Sequence, residues 1–128
     1  MRKLALDLRP GEYTVLKLDP ESLVASGLLA SPGLVSVTRT PDELSVVCPS
    51  AYAPEAEQTE GGWRLLTVRG PFEFTLTGIL AALAGALAAA GVPIFAVSTF
   101  DTDNVLVKGT DLDRAIAALR EAGHEVTQ

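Results

Sequence analysis

The chain has little of what most enzyme chemistry uses. Its single cysteine, Cys48, excludes an internal disulfide and any thiolate metal cluster, and a cytoplasmic setting is the simplest fit. With one histidine, His124, neither Ser98 nor Cys48 has an evident general base. A glycine-rich phosphate loop is missing, since Gly61-Gly62 stands alone. Positive charge is scarce too. There are 10 basic residues against 16 acidic ones, a net charge of −6, and both halves of the chain are acidic. Without a basic face, nucleic acid and anionic membrane are excluded as partners. Asp101 and Asp103 are too few to define a hard-cation site, so no metal and no cofactor is expected. No secretory signal peptide is expected, because Asp7 and Arg9 interrupt the opening run.

What is present is apolar. Hydrophobic residues make up 48% and charged residues 20% of the 128, which points to an ordered, well-buried chain of one domain or two very small ones. The centre is the stretch from Phe74 to Val107. Gly78 to Ala90 is almost all Ala and Leu, the strongest helix formers, with Thr77-Gly78 as the approach. Gly91 suits the left-handed residue past a helix end, and Pro93 prevents continuation. Ile94–Thr99 and Asn104–Lys108 read as strands around a polar turn. Phe74 to Phe100 is long enough to span a bilayer, but Gly91 and Pro93 divide it and its second part is β-rich. Ile79, Leu83 and Leu87 form one helical stripe, and the opposite face is alanine rather than charge. Covering on more than one side, by its own sheet and by a second layer or subunit, is therefore expected.

Elsewhere, residues 1–11 read as an edge strand ended by Pro10-Gly11, and Glu12–Leu18 as an alternating strand. Asp19-Pro20-Glu21 has the signature of a helix start, predicting a short helix from Glu21 to Leu29. Leu34–Arg39 and Leu44–Cys48 flank the turn Thr40-Pro41-Asp42-Glu43, which predicts a hairpin. Residues 49–62, with two prolines and two glycines, read as a solvated connector, with a turn of helix at Ala51-Tyr52. Trp63–Val68 reads as a strand. Thr110 and Asp113 resemble a capping box for a helix over Asp111–Ala122, closed by Gly123 and followed by a strand at His124–Thr127. The second half thus reads β-α-β-β-α-β, and the first half a weaker β-α-β-β. The expected fold is α+β: two ferredoxin-like modules, 1–60 with the connector and 61–128, with antiparallel sheets and helices on one face.

Ser98, Thr99, Asp101 and Asp103 cluster at a strand end and turn. The start of the alanine-rich helix, at Thr77-Gly78-Ile79, offers unsatisfied N–H groups to a carboxylate. An aspartate nearby suits an ammonium, and the two together suit a zwitterion. The same two aspartates are also ordinary turn formers, and both readings stay open here.

The segment FTLTGILAALAGALAAAGVPIFAVSTFDTDNVLV, continuing through KGTDLDRAIAALREAGHEV, resembles the ACT domain. It is similar to the small stand-alone ACT proteins related to cytosolic arginine sensors, over roughly residues 63–127. The hairpin ending LSVVCP resembles a degenerate first ACT module. The resemblance implies regulatory binding of a free amino acid at an interface between ACT modules, with no catalysis. By position, Thr75, Thr77, Gly78 and Ile79 would offer backbone groups to the carboxylate. Ser98, Thr99, Phe100, Asp101 and Asp103 would hold the ammonium and line the side-chain pocket. A homodimer and a separate regulated protein are the implied partners. The alternatives are a structural or protein-interaction module without ligand, and an acylphosphatase-like hydrolase using Arg69 and Asn104.

Overall fold

A computed structural model describes residues 3–24, 26–70 and 78–128. In chain order it contains β1 (Ala5–Leu8), β2 (Tyr13–Leu18), β3 (Ser36–Arg39), β4 (Leu44–Pro49) and β5 (Gln58–Val68). There follow α1 (Ile79–Ala89), β6 (Phe95–Ser98), β7 (Asp103–Lys108), α2 (Leu112–Glu121) and β8 (Glu125–Thr127). The fold is α+β with mainly antiparallel pairing, as the strand and helix order predicts. The chain divides into two units, Gly11–Trp63 and Met1–Pro10 with Arg64–Gln128; β5 gives its first residues to one and its last to the other.

In the unit of residues 11–63, β4 lies between β2 and β3, antiparallel to both. The predicted hairpin forms. Thr40 closes it by donating its N–H to the Glu43 carbonyl at 2.9 Å, while its hydroxyl accepts from the N–H groups of Asp42 and Glu43. Leu16, Leu28, Val46 and Cys48 make the core, so Cys48 is the small buried residue expected, and burial pushes its thiol pKa up.

Two expectations fail in this unit. Among the described residues from Glu21 to Leu29 no α-helix forms; a 3-10 turn at Ser26–Ala30 takes its place. Asp19 accepts from the Glu21 N–H at 2.9 Å in a local turn instead of starting a helix. Leu23 and Leu29 are 93% and 70% exposed and, among the described residues of this segment, only Leu28 is buried, so a helix here would have almost no apolar face to dock. The connector is also shorter than read. Residues 58–62 already belong to β5, with Val15 opposite Glu60 and Lys17 opposite Gln58. These residues are polar and glycine-rich, and main-chain pairing rather than apolar alternation makes them strand. Between Tyr13 and Val15 the register slips, with Gly62 at φ 76°, so the two glycines serve a β-bulge.

The other unit follows the order β5-α1-β6-β7-α2-β8. The stripes Ile79, Leu83, Leu87 and Leu112, Ala115, Ile116, Leu119 pack with Leu66, Val68, Val105 and Val107 in one core. Both helices end as the glycines predict. Gly91 (φ 74°) and Gly123 (φ 98°) are left-handed, and Val92 N–H and His124 N–H reach back to the carbonyls of Leu87 and Leu119. The capping box does not form. Asp111 is the cap residue of α2, makes no side-chain cap bond, and accepts from Arg114 at 2.7 Å instead. The alanine face of α1, at Ala81, Gly85, Ala88 and Ala89, is exposed in the single chain. At 11 residues, α1 is too short to cross a membrane, and no described helix is long and apolar enough to do so.

The expected edge strand turns out to be internal. β1 pairs antiparallel with β5 and parallel with β8. Leu4 and Leu6 are buried in the same core, which draws this strand inward. On its other face Asp7 accepts from Arg69 at 2.8 Å, and Arg69 also donates to Thr127 on β8. The Arg69 hydrogen bond holds the Asp7 carboxyl below the usual range, so the pair's stabilisation is present above that range and is lost as pH falls through the lowered value.

Gly33 gives a direct packing test. A Cβ there would lie 2.5 Å from the Tyr13 hydroxyl and 2.8 Å from Pro49 Cγ, and the same hydroxyl accepts from the Leu34 N–H. Gly33→Ala is expected to cost about 1–3 kcal/mol by overpacking, read as a lower urea midpoint at unchanged m. An unchanged midpoint would show that Tyr13 shifts freely.

Candidate functional site

The turn joining β6 to β7 is built from its own hydroxyls. Thr99 donates its N–H to the Thr102 carbonyl at 2.8 Å, and its hydroxyl donates to the same oxygen at 3.1 Å. Ser98 and Asp103 face each other in register, and the Ser98 hydroxyl donates to Asp103 Oδ1 at 2.6 Å. Thr102 turns the other way: its hydroxyl donates to the Val68 carbonyl at 2.7 Å, fixing the turn to the end of β5. Phe100, 76% exposed, and Asp101 stand at the tip.

The structure therefore brings Ser98, Thr99 and Asp103 together as read, with Phe100 and Asp101 beside them. Gly78 is the cap residue of α1, left-handed at φ 87°, and makes no side-chain cap bond. Its carbonyl accepts the first helical N–H, from Ala82, at 2.9 Å. Ile79 is a core residue, so what it can present to a ligand is its backbone N–H. Thr75 and Thr77 lie outside the described residues.

Two residues support this turn without having been read as ligand-binding residues. Thr102 is one. The other is Asn104, 4% exposed, whose Oδ1 accepts from the Thr67 hydroxyl at 2.8 Å and whose Nδ2 donates to the Val97 carbonyl at 3.3 Å. Asn104 thus ties β5, β6 and β7 together just below the turn. The available signal was a lone amide ahead of Val-Leu-Val, because a buried polar side chain must find partners inside the fold.

Other candidate chemistry is committed elsewhere. Arg69 is engaged with Asp7 and Thr127, and Asn104 with Thr67 and Val97, so the hydrolase pairing of the two has no support. His124 is buried, at 3% exposure, with Nδ1 accepting from the Leu4 N–H at 3.1 Å. Among the described residues, no group of three or more His, Cys, Asp or Glu side chains could hold a metal ion.

A family model of the ACT domain matches residues 58–121, and a second model, of an N-terminal domain, matches residues 11–56. The chain belongs to the ACT domain family. It is similar along its whole length to a crystal structure of a protein from Agobacterium tumefaciens. The two are 35% identical with a TM-score of 0.90, over 99% of this chain and 94% of that one. The fold is also similar to the ligand-free regulatory subunit of aspartate kinase from Thermus thermophilus, at 14% identity and TM-score 0.62, over 91% and 95% of the two chains. Aspartate kinase from Clostridium acetobutylicum resembles it at 17% identity and TM-score 0.63. That match covers 93% of this chain and 34% of the kinase. No curated protein matches the chain.

The anchor at Thr102 yields a prediction. Thr102→Val keeps the branched shape but leaves the Val68 carbonyl without its donor. A loss of about 1 kcal/mol is expected in urea unfolding, with faster amide exchange at Thr99. Unchanged exchange would mean the turn is held by its internal bonds alone.

Proposed function

We propose that this protein is a regulatory module that binds a free amino acid and has no catalysis of its own. Membership of the ACT family and the fold it shares with regulatory parts of aspartate kinases support this reading. The observation that carries it is the β6–β7 turn. Asp101 stands exposed at its tip, while Ser98, Thr99 and Asp103 are already hydrogen-bonded to shape it. A carboxylate at that tip attracts an ammonium, and the first N–H groups of α1, from Gly78 and Ile79, attract a carboxylate. Together with Thr75 and Thr77, these groups are proposed to receive the backbone end of the ligand, with Phe100 against its side chain. We assign the completion of the pocket to a second copy of the chain, and the response to a separate regulated protein in the cytoplasm.

Titration calorimetry against each of the twenty amino acids tests this directly. Saturable heat with at least one of them is expected, and no heat and no thermal shift with any would overturn the reading. For an amino acid that binds, Asp101→Ala is expected to weaken affinity by about 10- to 100-fold, the cost of one hydrogen bond to a charged group. Full affinity in that variant would remove Asp101 from the site.

A further inference from the structure

His124 occupies an unusual position for the chain's one imidazole. It is 3% exposed, directly after left-handed Gly123 and before β8. Its Nδ1 accepts from the Leu4 N–H at 3.1 Å, across 120 residues of sequence. In the neutral ring the proton must then sit on Nε2, and Nε2 is buried with no hydrogen-bond partner among the described residues. One residue further on, the Glu125 N–H donates to the Leu4 carbonyl at 2.8 Å. Both main-chain groups of Leu4 are therefore held at the α2–β8 junction, immediately ahead of β1.

We propose that His124 is a proton-operated latch on strand β1. Protonation makes both ring nitrogens donors, so the Leu4 N–H faces an N–H instead of a lone pair, and a charge is placed in an apolar site. Releasing β1 restores water to the imidazolium. It also bares the flanks of β5 and β8, which are paired with β1 on either side of it, and bare strand flanks accept another strand. The charged groups on the surrounding elements are Lys3 beside Leu4, Asp7 on β1, Asp113, Arg114, Arg120 and Glu121 on α2, and Glu125 on β8; Asp7 is half-buried and paired with Arg69, and the others are exposed. Arg120 gives its guanidinium to the Val126 carbonyl at 2.8 Å. None supplies a counter-charge: burial is what lowers the histidine pKa.

The sign follows. A group held neutral in the closed form costs nothing above the ordinary histidine pKa. As pH falls below it, opening gains about tenfold per unit until the lowered native value is reached. Amide exchange on the full chain between pH 7.5 and 5, corrected for intrinsic rates, is the test. Protection across residues 4–8 and 125–127 is expected to fall about tenfold per unit below about pH 6.5, with residues 36–49 unaffected. His124→Gln should flatten that profile. Flat protection in the wild type overturns the latch, as does an equal loss in residues 36–49, which would signal global unfolding. A variant profile as steep as that of the wild type would do the same. If His124→Gln does not fold, NMR titration of the wild type decides: a His124 pKa below 6.5 sharing its midpoint with the Leu4 amide supports the latch, and an ordinary or raised value overturns it.

Discussion

Strand β1 is flanked on both edges, and the unit formed by residues 1–10 and 64–128 depends on that. Main-chain N–H and C=O groups in a buried strand must be paired, because each unpaired one costs as much as a lost hydrogen bond. β5 and β8 meet this requirement on their β1 sides through a four-residue segment distant from both in sequence. Leu4 and Leu6 then enter the same core as Leu66, Val68 and Val126. Burying a leucine contributes about 1.5–3 kcal/mol, so two of them outweigh the exposed Asp7–Arg69 pair on the other face. The ion pair orients the strand, and the leucines hold it.

The candidate site inherits its geometry from this framework. β5 places the Val68 carbonyl where Thr102 can donate to it, and Asn104 links β5, β6 and β7 below the same turn. Hydroxyl and amide bonds thus do for the turn what apolar packing does for the core. The carboxylate at its tip, Asp101, is left exposed. A preorganised turn with an exposed acid is suited to receiving a charged ligand, since little ordering remains to be done on binding.

Much of this was legible in the residues. The helix stripes of α1 and α2, their glycine ends and the Thr40 hairpin all follow from local rules, and each appears within a residue or two of where those rules put it. The cluster Ser98, Thr99 and Asp103 was legible for the same reason: a short turn brings its own neighbours together. What could not be read depended on partners remote in sequence. Asp19-Pro20-Glu21 carries a helix-start signal, yet among the described residues no α-helix follows, because, of the leucines after it, Leu28 alone is buried, while Leu23 and Leu29 stay exposed. Gln58 to Gly62 carries a loop signal, yet it is strand, because β2 supplies main-chain partners.

By itself, the sequence determined the two helices, the Thr40 hairpin and the β6–β7 turn. These depend on side-chain spacing, backbone freedom at glycine and proline, and residue type, all properties of a few neighbouring positions. The tertiary structure alone decided that Ala5–Leu8 is an interior strand, that His124 is buried against Leu4, and that Thr102 and Asn104 support the turn. Each of those outcomes joins groups tens of residues apart. The energy that selects them, desolvation and hydrogen bonding across the sheet, exists only once the strands have met.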